Sequence, residues 1–228
     1  MTIRYSLLRF LRRQHRILRQ LHADCEGVSL IEFALVLPLL LTATLYGTEL
    51  AYMATVRMQV SQIATSVADN ASRLGQSDNS AVMPTVNEGQ ISSIMFGALQ
   101  QGQQIDFEDN GRIILSSLER DAFSGNQYIH WQRCVGNYDR SSDYGSQVTS
   151  TDSIPAGLDG MGTGDGLITA IDGSAVMYAE VFYRYRGLFG NLFVSEAVIK
   201  QEAAFMIRDD RNLVPGVSAA AGAGDMSC

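Results

Sequence analysis

One apolar run near the start of the chain constrains its fold more than any other feature. Val28–Val56 reads VSLIEFALVLPLLLTATLYGTELAYMATV, and residues 33–48 within it carry no charge. Counted from Val28 to residue 48, 21 residues hold one charge, Glu32. A helix crosses the hydrocarbon core of a membrane with about 20 apolar residues at about 1.5 Å each. A cleaved secretory signal starts in a similar way. Its apolar stretch is only roughly 7–15 residues long, however, and a small-residue site follows it. Here no Ala-x-Ala-like site follows, and the run continues into another helical pattern. The reading is a retained transmembrane helix over 28–56.

Charge orients that helix. Residues 1–26 carry six Arg against Asp24 and Glu26, and the remaining residues carry 11 Lys+Arg against 22 Asp+Glu. The first positive charge after the span is Arg57. The positive-inside rule then puts residues 1–27 in the cytoplasm and the acidic body outside. Apolar residues at 7, 8, 11, 18 and 21 also allow the leader to lie on anionic lipid as an amphipathic helix. Topology alone explains the arginines equally well. An acidic body with a basic end argues against nucleic acid as a partner.

Glu32 stands five residues after Gly27, where an ionised carboxylate in lipid is costly and signals function by default. A Glu near the interface reaching headgroup water is the plainer alternative. Glu49, near the other end of the run, reads as interfacial. Pro38 removes one backbone donor inside the span, and a kink is expected there.

The run Gly27-Val28-Ser29-Leu30-Ile31-Glu32-Phe33, after an Arg-rich leader, resembles a type IV prepilin processing site. Gly27, Glu32-Phe33-Ala34, Val36-Leu37-Pro38, Gly47-x-Glu49 and the Ala/Ser/Gln-rich helix beyond narrow the resemblance. Together they resemble the TadE-like pseudopilin family of tight-adherence (Flp-type IVb) pilus systems. Phe33 stands where such prepilins often carry Tyr, and Glu26 replaces the basic residues common before the cut.

The resemblance implies a minor pseudopilin, a structural subunit of the bacterial inner membrane supporting pilus biogenesis, surface adhesion and biofilm. A prepilin peptidase would cut between Gly27 and Val28 and remove 1–27. The freed amine of Val28 would pair with Glu32 of a neighbouring subunit. Other pilins, pseudopilins, the assembly platform and inner-membrane lipid are the implied partners. The alternative is an unprocessed, signal-anchored envelope protein whose periplasmic domain binds a ligand or hydrolyses a substrate.

Beyond the span, Met53, Val56, Val60, Ile63, Val67, Ala71 and Leu74 recur at helical spacing, and Gly75 is a natural stop. Residues 57–75 therefore extend the helix. Their stripe packs either on the chain's own domain, the preferred reading, or on sister helices. Residues 76–87 read as a polar linker that opens the exported domain, 76–215. Ile91, Ile94, Met95, Ala98 and Leu99 mark a short helix with Asn87 and Gln90 as a capping box.

The period then becomes two. Asp109-Asn110-Gly111 signals a hairpin-type turn before a strand at 112–118. Further strands are expected at 128–135, 167–171, 175–185 and 197–208, with 167–171 and 175–185 as a hairpin around Asp172-Gly173. On 128–135, residues 129, 131, 133 and 135 share a face, and 136–166 is a long exposed excursion. The fold class is α+β: a long N-terminal helix packed on a four- to five-stranded antiparallel sheet, which resembles the pilin-like fold.

Chemistry is thin in the body. The loop from Asp159 to Asp165 fails the calcium-loop pattern at Met161 and Thr163, leaving a flexible Gly-rich loop or a loose oxygen site. His130 reads as structural, and no hydrolase, zincin or Walker motif is present. No metal, cofactor or catalytic residue is assigned, and the chain reads as no enzyme. If Cys25 leaves with the leader, Cys134 and Cys228 remain in an oxidising compartment. One bridge between them would close a loop of about 95 residues, worth up to roughly 4 kcal/mol. A free terminal thiol or an intermolecular bridge is the alternative. The Gly/Ala-rich tail, 216–228, offers no evident apolar reason to dock.

Overall fold

A computed structural model describes residues 26–75, 83–148, 157–164, 166–208, 210–220, 224 and 226–228. Residues 1–25 of the leader and 76–82 of the linker, with the expectations placed on them, lie outside these residues. The chain divides into two units, one ending at Leu50 and the other running from Ala51 to Cys228.

Helix α1, Glu26–Ser72, continues through Pro38 as one α-helix. In its first unit the apolar side chains face outward; Leu30, Phe33, Leu35 and Leu39 are each more than 60% exposed. The stretch is long and apolar enough to cross a membrane, with a mean hydropathy of 2.1 and none of its apolar window buried. The hydroxyls of Thr42, Thr44 and Thr48 donate to the carbonyls of Pro38, Leu40 and Thr44 at 2.7–2.9 Å. Satisfying these hydroxyls within the helix suits a medium without water. Glu49 is fully buried, rather than open to water as its place in the sequence suggests.

The second unit uses the rest of α1 as a core element. Val56, Val60, Ile63, Val67 and Ala71 are buried, with Met53 and Leu74 partly so. The expected stripe thus packs on the chain's own domain. Gly75 ends the helical stretch at φ +92°, a conformation that disfavours any other residue. Arg211 donates to the carbonyls of Ala71 and Ser72, satisfying end-of-helix acceptors. Helix α2, Glu88–Gln101, opens with the expected capping box between Asn87 and Gln90. Ion pairing of Glu88 with Arg133 holds its first turn to the sheet.

Four strands follow: β1 Gly111–Arg120, β2 Gln127–Val135, β3 Ala175–Tyr185 and β4 Ala197–Met206. They form one antiparallel sheet in the order β2-β1-β3-β4. One face meets the helices through Ile113, Leu115, Trp131, Met177, Ala179, Val181, Tyr183 and Ile199. This is the α+β arrangement expected, a long helix with an antiparallel sheet.

Three local expectations change. Asp109-Asn110 lies in a one-turn helix, α3 Phe107–Asn110, not in a hairpin. The fully buried side chain of Phe107 fills the space that a Cβ on Gly102 or Gly111 would enter, its Cβ lying 2.4 Å from the first and its ring 2.5 Å from the second. Leu167–Ile171 is not a strand of the sheet, because both edges of β3 are taken by β1 and β4. Only Ile168 makes a bridge, to Met161. On β2 the register shifts opposite Ser117/Leu118, leaving His130 without a partner on β1. That bulge sends Ile129 to the face opposite Trp131.

The excursion after β2 also differs from a solvent loop. Its Tyr138, Tyr144, Leu158 and Met161 cover Ile114, Phe182, Val176 and Tyr178 on the second sheet face. Tyr178 and Phe182 alternate with the helix-facing residues of β3, so the second face is apolar too and requires a cover.

The tail docks as well. Met226 is buried, and its carbonyl accepts from the Cys134 N–H at 2.7 Å. Ser218 bonds to Val86 and Glu88 through its backbone. Cys134 and Cys228 form a disulfide, with Cα atoms 5.1 Å apart. Cys228→Ser is expected to lower the stability of the body by up to roughly 4 kcal/mol. Thermal melting with and without reductant checks this. An unchanged melting temperature in the variant would refute the contribution.

Candidate functional site

At the N-terminal end of α1, Gly27 and Val28 occupy the first turn and Glu32 and Phe33 the second. The four-residue step from Val28 to Glu32 puts both on one face, about 6 Å apart along the axis. Val28 and Phe33 are 50% and 64% exposed. Glu32 is also exposed and has no ion pair or hydrogen bond among the described residues. Among the described residues, apart from its chain neighbours and the nearby backbone of its own helix, no atom lies within 4 Å of a Cβ built on Gly27, and its φ is not positive. Nothing among the described residues therefore requires glycine there.

A family model described as TadE-like protein matches residues 27–73. This segment is TadE-like. The match covers about a fifth of the chain, begins at Gly27 and ends one residue past α1. It supports involvement in a tight-adherence pilus system and does not reach the sheet. No curated protein and no solved structure matches the chain. The TadE-like segment coincides with the helix that carries Gly27, Val28, Glu32 and Phe33.

The body holds two polar clusters outside that segment. The first centres on Glu119, which is buried on β1. Its carboxylate meets His130 Nδ1 at 3.0 Å and accepts from the Ser117 hydroxyl at 2.9 Å. The bond to Glu119 holds the His130 pKa above its ordinary value, against the opposing effect of burial. Ser117 donates to the acid and not to the imidazole, so no nucleophile–base pair exists in this cluster. Its role is to satisfy polar groups beside the bulge.

That raised pKa has a pH consequence. The pairing contributes fully below the unfolded value of about 6.5 and fades as pH rises through the higher folded value. The stability difference between wild type and His130→Gln is therefore expected to shrink as pH rises above about 6.5 and through the higher folded value. Melting curves check this, and a constant difference would contradict it.

The second cluster was not legible in sequence. Lys200 Nζ lies 2.8 Å from Asp143, 2.7 Å from Glu202 and 3.8 Å from Glu180. Burial opposes the Lys200 charge, but its bonds to Asp143 and Glu202 prevail and hold its pKa above the usual range. Burial also pushes the Glu180 carboxyl up. Tyr144 donates to Glu202 at 2.6 Å, and the Asp143 N–H donates to Glu180 at 3.1 Å. The network straps the excursion onto β3 and β4. Glu180 and Glu202 are cross-strand partners, a register that only the folded sheet reveals. Among the described residues no group of three metal-ligating side chains gathers. Asp165 of the Gly-rich loop lies outside them.

Proposed function

We propose that this chain is a minor pseudopilin of a tight-adherence type IVb pilus machine, processed by a prepilin peptidase after Gly27. The observation that carries the reading is Gly27 itself. It opens the TadE-like match, yet the described residues give no steric or conformational reason for glycine at that position. A peptidase cleft that admits only a bare, extended backbone supplies one. An exposed Glu32 without a partner among the described residues suits a counter-charge for a neighbour's freed Val28 amine.

In this reading α1 anchors the chain in the inner membrane by a single pass, with residues 1–27 cytoplasmic and the acidic body periplasmic. The sheet domain catalyses nothing; the chemistry is done to the chain. Its partners are the peptidase, other pilins and pseudopilins, the assembly platform and membrane lipid. Deleting the chain from a host that carries the pilus system is expected to abolish piliation, with recovery on re-expression. Piliation at the wild-type level without it would contradict the role.

A further inference from the structure

The second sheet face carries an open cavity of about 410 Å³ with a mixed polar and apolar lining, inside the roughly 300–1,000 Å³ range of small-molecule sites. Arg112 of β1 and Gln132 of β2 line its floor. Arg140 and Ser146 of the excursion line another wall, and Cys228 of the disulfide closes one side.

Arg112 decides the chemistry. Its Nη1 donates to the Gly136 carbonyl at 2.9 Å, and its buried Nε has no hydrogen-bond partner. Among the described residues no carboxylate forms an ion pair with it. A partly buried guanidinium without a counter-charge is costly, and a bound carboxylate removes that cost through two parallel hydrogen bonds. Arg140 is satisfied by Asp143 at 3.3 Å and by the Phe182 ring beneath it at 5.1 Å. It lines the cavity with its charge already paired to Asp143.

The remaining wall suits hydroxyls. Ser141 and Ser146 are exposed and make no hydrogen bond among the described residues. Gln147 accepts from the Gln132 N–H at 3.0 Å through its oxygen, which leaves its amide donors for a ligand. With Arg140 paired to Asp143, Arg112 is the lining cation left without a carboxylate among the described residues, within an acidic body. Long-range charge thus repels anions, and binding rests on the local contacts.

We propose that this cavity binds a carboxylate-bearing, polyhydroxylated molecule of monosaccharide size, an acidic sugar, with its carboxylate on Arg112. The sugar is either a free monosaccharide or the end of an acidic polysaccharide. The site does not depend on processing at Gly27, so its test stands apart from the pilus role.

The test titrates full-length protein in detergent with glucuronate, glucose and inorganic phosphate, followed by calorimetry or NMR. Saturable glucuronate binding, at least tenfold tighter than glucose or phosphate, is expected. Arg112→Gln should weaken it at least tenfold, with the melting temperature confirming that the variant is folded. Arg140→Gln serves as a second variant and should weaken it about threefold or more. A glucuronate-ended oligosaccharide that binds like the monomer assigns the site to polysaccharide ends; rejection of the oligosaccharide assigns it to the free sugar. No glucuronate binding, equal binding of phosphate, or folded variants of both arginines with unchanged affinity would overturn the proposal.

Discussion

Gly27→Val is expected to keep the chain at full length in a cell whose wild-type copy loses its leader. The bond between residues 27 and 28 lies in the first turn of α1. A peptidase must draw that turn into an extended strand before cutting, and a branched side chain beside the bond then meets the cleft wall. The fold itself does not object to the substitution, since the space around a Cβ at Gly27 is open. Valine is also a somewhat better helix former than glycine, by a few tenths of a kcal/mol. Loss of cutting therefore reports on the peptidase and not on misfolding. A fall in cleavage rate of at least about 100-fold, ~2.7 kcal/mol at the transition state, is expected. Gel mobility and intact mass of membrane-extracted protein measure it. A valine variant cut at the normal rate would remove the main support for the proposed role.

Glu32→Ala separates cutting from assembly. Glu32 lies four residues beyond the scissile bond and makes no hydrogen bond or ion pair among the described residues. The variant is expected to be cleaved as fast as wild type. In the assembled state the neighbour's Val28 ammonium would lose its counter-charge in lipid. Breaking such a pair costs about 3–5 kcal/mol, which lowers association at least about 100-fold. Glu32→Gln, which keeps the size and removes the charge, should fail in the same way. Co-purification with pilus subunits, normalised to the cleaved form, checks both variants. Normal assembly of either would show that Glu32 is an interfacial residue only.

Local patterns in this chain were legible and long-range ones were not. The stripe from Met53 to Leu74 and the Asn87–Gln90 capping box depend on spacings of three and four residues, so sequence displays them directly. The alternation on β3 was equally plain, but it showed only which side chains oppose each other. It could not show that Tyr178 and Phe182 would be covered by the excursion. Leu167–Ile171 has strand-like composition, yet the neighbouring edge of β3 belongs to β4. The unpaired His130 inverts the face of Ile129, and a one-residue bulge leaves no periodic trace. The Gly and Ala content of the tail gives no sign of docking, and Met226, which is buried there, forms no periodic pattern. At the candidate site, Gly27, Glu32 and Phe33 were readable because their meaning lies in a short linear pattern. Arg112 and Arg140 come together only through the path of the excursion.

The central claim is that the chain is processed before it functions. N-terminal sequencing of the protein extracted from membranes of a host with an intact prepilin peptidase tests it most directly. The account predicts a mature chain that begins at Val28 and still carries Cys134 and Cys228. A mature chain that still begins at Met1 would contradict it and leave an unprocessed, membrane-anchored envelope protein in its place.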